Sequence, residues 1–365
     1  MQGTAHKAPL HAVIAKLTDP THWAGRTTVL AKWLRLATLC AVAAVSIISM
    51  GHTLFPPRAD LILMCSNDTR VCEQWQTGLK RDLGLDVRYV ALPTQEALKR
   101  LQTSHTHPEF DLWVGGPSEN YRYAAAQGLL LPITPPHASD LPPQFRDQHG
   151  RWFGVYASVL AFCSDPDALT KLHAPTPHSW KELTAPRRPG WISMPSPLSS
   201  GTGYATLLTL DAVGLSRTDI THLLGNVERF TRAGNAPSDI VARGEAAVAI
   251  SYEPYCHGKT TRTGRPLTIT HPREGTSYEI ASGGVLTGTT HKTHATAAMN
   301  WLLSPTGQQA ARQAGLDQAP VSQAAPGHIG QRLTTSHLPL LTLDPKRAET
   351  TRSAWMDWIA KQVWP

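Results

Sequence analysis

No segment of this sequence sets clustered Lys and Arg among interleaved aromatics, although the chain carries a formal net charge of +7. Nucleic acid is therefore set aside as a partner. The charge is also misplaced for that role, since +5 of it falls in residues 1–59, where six Lys and Arg face Asp19 alone. Zinc-type spacing is missing as well: the five cysteines include no CxxC and no Cys/His ladder. His105 with His107, and His291 with His294, read as surface histidines and not as ligands. The chain has no GxSxG elbow and no arrangement that proposes a Ser/His/Asp triad. It has no Walker motif, so it does not hydrolyse ATP itself. These absences argue against an enzyme, and no cofactor or metal is expected. Internal repeats and long low-complexity tracts are also lacking.

What is present is a chain of 365 residues, 41% hydrophobic, long enough for two α/β units with real cores. Its front is a leader, residues 1–59. Lys32 and Arg35 precede an apolar run from Leu36 to Met50, followed by Phe55-Pro56-Pro57. A positive flank before a short apolar core is an export signal. The run falls short of the roughly 20 residues of a spanning helix unless it extends to Phe55. The protein is thus expected to be exported, periplasmic or otherwise extracytoplasmic. The leader is either cleaved or kept as a membrane anchor through residues 36–55. Translation from near Val29 would leave a compact signal. Cys65 and Cys72 are near enough to close a small loop in an oxidising compartment; Cys163 and Cys256 lie far apart, and the pairing stays open.

ADLILMCSND reads as a buried strand ending in a polar loop, EQWQTGLKRDLGL as a helix and DVRYVAL as a second strand. TQEALKRLQTS is helical, and FDLWVGG is a third strand stopping at Gly-Gly. Alternating strands and helices imply parallel pairing through crossovers. ENYRYAAAQGL gives another helix, before a proline-rich stretch. GRWFGVYASVLAFCSDPDAL opens a second set with a long apolar strand and a helix start. WISMPSP, the helix after SSGTGY, a polar helix near Asp219–Thr231, and GEAAVAISYEPY continue it. PLTITHPREGTSYEIASGGVLTG supplies two strands and HATAAMNWLLSPTGQQAARQ supplies helices. Residues 318–345 read as a surface-wrapping connection, and the tail as an aromatic amphipathic helix.

Six segments stand in an order that resembles a known family: DLWVGGPSENYRYAAAQGLLLPI, GRWFGVYASVLAFCSDPDAL, PSPLSSGTGYATLLTL, GEAAVAISYE, EGTSYEIASGGVL and MNWLLSPTGQQ. They resemble the extracellular solute-binding proteins of ABC importers, in the branch of ferric-iron, phosphonate and sugar-phosphate receptors. The resemblance spans roughly residues 60–320. It implies an α/β, two-lobed periplasmic-binding-protein fold of type II kind, with a hinge and a ligand cleft between the lobes. The expected division is residues 60–155 plus about 280–345 for one lobe, 156–279 for the other, and 346–365 as a helix packed on the lobes. It further implies a monomer that delivers a small anionic solute to an inner-membrane ABC permease.

Ligands of open α/β sheets bind at loops beyond the carboxyl ends of strands. Those loops here are CSND, GGPS, SSGTGY and SYE, giving Ser66, Asn67, Gly116 and Ser118 as candidates on one side. At Ser199, Ser200, Gly201, Thr202 and Gly203, hydroxyls and close-approaching glycines meet a helix amino end, where unpaired N–H groups and the dipole favour an anion without Lys or Arg. A plain N-cap is the alternative. Tyr204 either lines the cleft or packs in the helix. Ser251 is a candidate donor, with Tyr252 beside it; Glu253 is a candidate acceptor for an amine or hydroxyl, and Glu279 a polar wall. The iron-binding branch carries an adjacent Tyr-Tyr pair where this chain has Glu253-Pro254, which disfavours iron; Tyr252, Glu253 and Tyr255 could still make a different oxygen-rich site. Two alternatives stand beside the anion receptor: a ferric-iron receptor of the same fold, and a membrane-anchored ligand sensor.

Overall fold

The structure is a computed structural model, and it describes Trp33 and residues 36–41, 59–104, 108–186, 190–335 and 338–363. The start near Val29, His105, His107 and most of the leader lie outside the described residues. The chain divides into two units, Met1–Arg58 and Ala59–Pro365. In the first, residues 36–41 are helical and exposed, and the Cys40 thiol is free. Among the described residues no helix is long and apolar enough to cross a membrane.

The second unit opens with β1 (Leu61–Cys65), α1 (Thr69–Leu83), β2 (Val87–Ala91), α2 (Thr94–Thr103), β3 (Leu112–Pro117) and α3 (Ser118–Ala126). The start of α1 follows from Asp68, whose side chain accepts from the Arg70 amide, and its end from Gly84 at φ 71°. Val71, Cys72, Trp75 and Leu79 recur at helical spacing, and they form its buried face. Next come β4 (Phe153–Ser164), α4 (Pro166–Lys171), β5 (Ile192–Pro195), α5 (Gly201–Ala212), α6 (Arg217–Gly225), β6 (Val227–Thr231), α7 (Ala236–Ala242) and β7 (Val248–Tyr252). The polar helix expected near 219–231 is thus cut short. The Ser216–Asp219 capping box starts α6, and Val227 to Thr231 pair instead as strand β6 beside β5. Then follow β8 (Thr268–Thr270), β9 (Thr276–Val285), α8 (Lys292–Leu303), α9 (Pro305–Gln308), α10 (Ala310–Gln313), β10 (Ala319–Pro320), α11 (Ile329–Thr335), β11 (Leu340–Leu341) and α12 (Pro345–Val363).

The main strand order is β2-β1-β3-β9-β4-β7-β5-β6. Its two wings, β2-β1-β3 and β7-β5-β6, are parallel within themselves. They are joined by β9 and β4, which pair antiparallel with each other and with their wing neighbours. The twelve residues of β4 are nearly all buried: its first half pairs β9, and its second half pairs β7. This is the mixed α/β periplasmic-binding-protein fold, two lobes joined by crossing strands.

Two disulfides form, Cys65–Cys72 and Cys163–Cys256. The first brackets the loop after β1, and the second ties the end of β4 to the turn after β7. The segment 318–345 is not a surface wrap along its length. Gln318, Val321 and Ser322 are fully buried, β10 pairs with β4, and the Gln308 side chain accepts from the Val321 and Ser322 amides.

Candidate functional site

A cavity of about 220 Å3 lies between the two wings, at the carboxyl ends of their parallel strands. Ser66 and Asn67 reach it from the loop after β1, Thr94 from the start of α2, and Gly116 from the end of β3. Gly116 sits at φ 77°, and a Cβ there would lie 2.2 Å from Thr94 Oγ1. The opposite wall is the amino end of α5, with Ser200 and Thr202, and the approach to α7, with Gly234 and Asn235. Tyr156 of β4, Glu279 of β9 and Tyr255 complete it. No Lys, Arg or His is among the described residues lining this cavity.

Ser200 is the N-cap of α5, at φ −109° and ψ 135°, yet its side chain makes no cap hydrogen bond. The first intrahelical bond recorded there runs from the Tyr204 amide to Ser200 O, so the amides of Gly201, Thr202 and Gly203 precede the ladder. A Cβ on Gly201 would come within 2.7 Å of Pro117 Cδ, so the glycine allows close approach to the β3 loop. A Cβ on Gly203 would strike Pro195 O at 2.5 Å. Gly203 therefore serves packing under the loop.

The other expected site residues divide. Ser66 Oγ accepts from Trp113 Nε1 at 3.0 Å. Asn67 lines the cavity, but its amide is engaged: it exchanges bonds with Gln318 at 3.1 and 3.0 Å and accepts from Tyr255 Oη at 3.1 Å. Glu279 lines the cavity and is buried. Six expected residues are corrected, since none of them lines this cavity. Tyr204 does not face the cleft; its hydroxyl donates to Ala348 O of α12 at 2.6 Å. Ser199 turns its hydroxyl to Arg232 O, and Ser251 donates to Gly234 O at 2.7 Å, so both brace loops. Tyr252 is buried in the core with an unpartnered hydroxyl. Glu253 lines a separate cavity of about 350 Å3, with His257 Nε2 at 2.8 Å and His271 Nε2 at 3.5 Å. Ser118 is buried at the first turn of α3 and is not among the lining residues.

Sequence reasoning missed Thr94, Tyr156, Gly234, Asn235 and Gln318 as neighbours of the site. Asn235-Ala236-Pro237 did carry a signal, since Asn followed by Pro marks a helix start. Asn235 Nδ2 donates to Asp68 Oδ2 at 3.2 Å, one of several bonds across the cleft. The Gln95 amide donates to Ser199 O at 3.1 Å, and Arg232 grips Glu96 through two nitrogens. Burial works against the Asp68 carboxylate, but hydrogen bonds from Arg70 and Asn235 hold it below the ordinary range. Burial pushes the Glu279 carboxyl well above the ordinary range, and the charge of Glu119 adds to the effect. Burial likewise raises the Tyr156 and Tyr255 phenols well above theirs.

A family model described as bacterial extracellular solute-binding protein matches residues 109–329. An uncharacterized protein of Haemophilus influenzae is 27% identical over 263 residues, covering 70% of this chain and 76% of its own. The Fe(3+)-binding periplasmic protein of Serratia marcescens is 22% identical over 336 residues, covering 87% and 95%. Among solved structures, the periplasmic binding protein AfuA from Actinobacillus pleuropneumoniae, with fructose-6-phosphate bound, aligns at a TM-score of 0.76 and 24% identity, covering 83% of this chain and 98% of its own. That likeness is one of fold.

Proposed function

The chain belongs to the bacterial extracellular solute-binding proteins, and from that premise we propose that it is the substrate-binding component of an ABC importer, capturing a small organophosphate or phosphonate anion between its lobes. The observation that carries the reading is the amino end of α5, which opens on the interlobe cavity with its N-cap hydroxyl unused by the helix. Amides at such an end supply both donors and a positive dipole, and they hold an anion without a cationic side chain. The proposed contacts are Ser200, Gly201 and Thr202, with Ser66 and Gly116 facing them. Residues 60–155 with about 280–345 form one lobe in this reading, 156–279 the other, and the boundaries fall inside β4 and β9. The protein acts outside the cytoplasm as a monomer and hands its solute to a membrane permease.

A second reading, ferric iron, draws on Tyr156, Tyr255 and Glu279, whose oxygens share the cavity. Thermal-shift titration separates the two. An organophosphate at a hundred times its Kd stabilises by about 2.7 kcal/mol, enough to raise Tm by several degrees. A rise with ferric salts alone transfers the assignment to the tyrosine set.

A further inference from the structure

Glu279 is left without an obvious counter-charge. It is 4% exposed, sits in the crossing strand β9 opposite Ser158, and lines the cleft cavity, while its Oε1 has no hydrogen-bond partner. The described lining holds no Lys, Arg or His to compensate it. The groups that bear on it are Glu119 and Tyr121 of α3, the Ser158 hydroxyl and Tyr156 of β4, Tyr252 of β7 and Tyr255; the Ser158 hydroxyl favours the carboxylate, and none of the groups is cationic. Tyr156 and Tyr255 line the same cavity. A carboxylate with aromatic rings beside it is an ammonium site: the carboxylate accepts charge-assisted hydrogen bonds, and the ring faces attract the cation. The α5 end of the cavity has the opposite preference.

We infer that the cleft selects a dipolar solute, whose anionic end sits at α5 and whose protonated amine is held by Glu279 beside Tyr156 and Tyr255. The inference rests on the anion-receptor reading and narrows it. Burial and the charge of Glu119 raise this carboxyl well above its ordinary range, so it holds a proton more tightly than a free carboxyl does. An ammonium beside it favours the carboxylate form, so binding is linked to proton release. Affinity for such a solute falls as pH falls.

The test is calorimetric titration of the full chain with O-phosphoethanolamine, ethyl phosphate and hydroxyethyl phosphate, and with their three-carbon homologues. The aminated form binds at least about ten-fold more tightly than the other two, the size of one hydrogen bond between charged groups. Its binding heat varies with the buffer's ionisation enthalpy, as proton release requires. Glu279→Gln brings the three within about three-fold of one another, and a cooperative thermal melt of the variant shows that it folds. Equal wild-type affinity for the aminated and unaminated forms overturns the inference and leaves the anion reading standing. Loss of every phosphate ligand in Glu279→Gln makes Glu279 structural and overturns it too. Failure of all these phosphates on the wild-type protein removes the anion reading, and this inference with it.

Discussion

Ser200 and Thr202 stand where the α5 ladder has not yet begun, and the anion contacts proposed for them are expected to be separable from folding. Replacing both by Ala removes hydroxyl donors but keeps the amides. The double variant is expected to bind organophosphate about ten-fold or more weakly in calorimetry, at one charged hydrogen bond's worth per tenfold or so, with near-unchanged Tm for the empty protein. Glu253 makes the opposite case. The neighbouring imidazoles of His271, at 3.5 Å, and His257, hydrogen-bonded at 2.8 Å, push its carboxyl down to about 2 against partial burial. The folded form therefore favours the carboxylate, and the stabilisation is full above the ordinary value of 4.5 and lost as pH falls toward 2. Glu253→Gln should cost about 1–3 kcal/mol near neutrality, closing at acid pH in denaturant melts, and should leave ligand affinity untouched. The loop chemistry at Ser200 was legible because caps and small residues act locally. The destinations of Tyr204, Ser251, Tyr252 and Glu253 were not, because a side chain next to a cleft strand points to one face or the other according to register. Register depends on partners far away in the chain.

The same contrast holds for elements. The strand–helix alternation of the first wing, the long β4 and the terminal helix follow from hydrophobic period and caps. The second half of the expected polar helix became β6 because an edge beside β5 was open to it, which no local signal announces. The disulfides could be paired only once β4 and β7 were adjacent, and both brace loops that flank the cavity. Helix α12 gives another example of long-range assembly. Its Arg352 is 7% exposed, binds Gln95 and Asn120 on α2 and α3, and stacks on Tyr123 and Tyr204. Tyr204 lies on α5, so this one side chain joins helices of the two wings. Burial without such partners would be costly for a guanidinium. Arg352→Ala is expected to destabilise by about 3 kcal/mol or more in denaturant titration, through the Gln95 and Asn120 groups it leaves unpaired. A loss under 1 kcal/mol would mean that α12 is only loosely attached.

At the scale of the whole molecule, the wings meet through a few contacts: Arg232 with Glu96, Asn235 with Asp68, Tyr255 with Asn67, and Gln95 with Ser199. Each is modest alone. The Arg232–Glu96 pair is exposed, and such pairs are worth about 0–1 kcal/mol. Reversing its sign adds repulsion across the mouth. Glu96→Lys should shift the ligand-free protein toward an open form, seen as a larger radius of gyration in small-angle scattering, and should weaken binding a few-fold by taxing closure. Identical scattering curves would show that this pair does not hold the lobes together. These cross-cleft bonds lay beyond sequence reasoning, since each joins residues about 100 or more positions apart.

A crystal structure of the protein with an organophosphate solute tests the proposed anion position at α5 most directly. The prediction is a phosphorus-centred group within hydrogen-bond reach of the Thr202 amide and the Ser200 hydroxyl. A phosphate held elsewhere in the cavity, or a ferric ion on Tyr156 and Tyr255 with the α5 end empty, would contradict it.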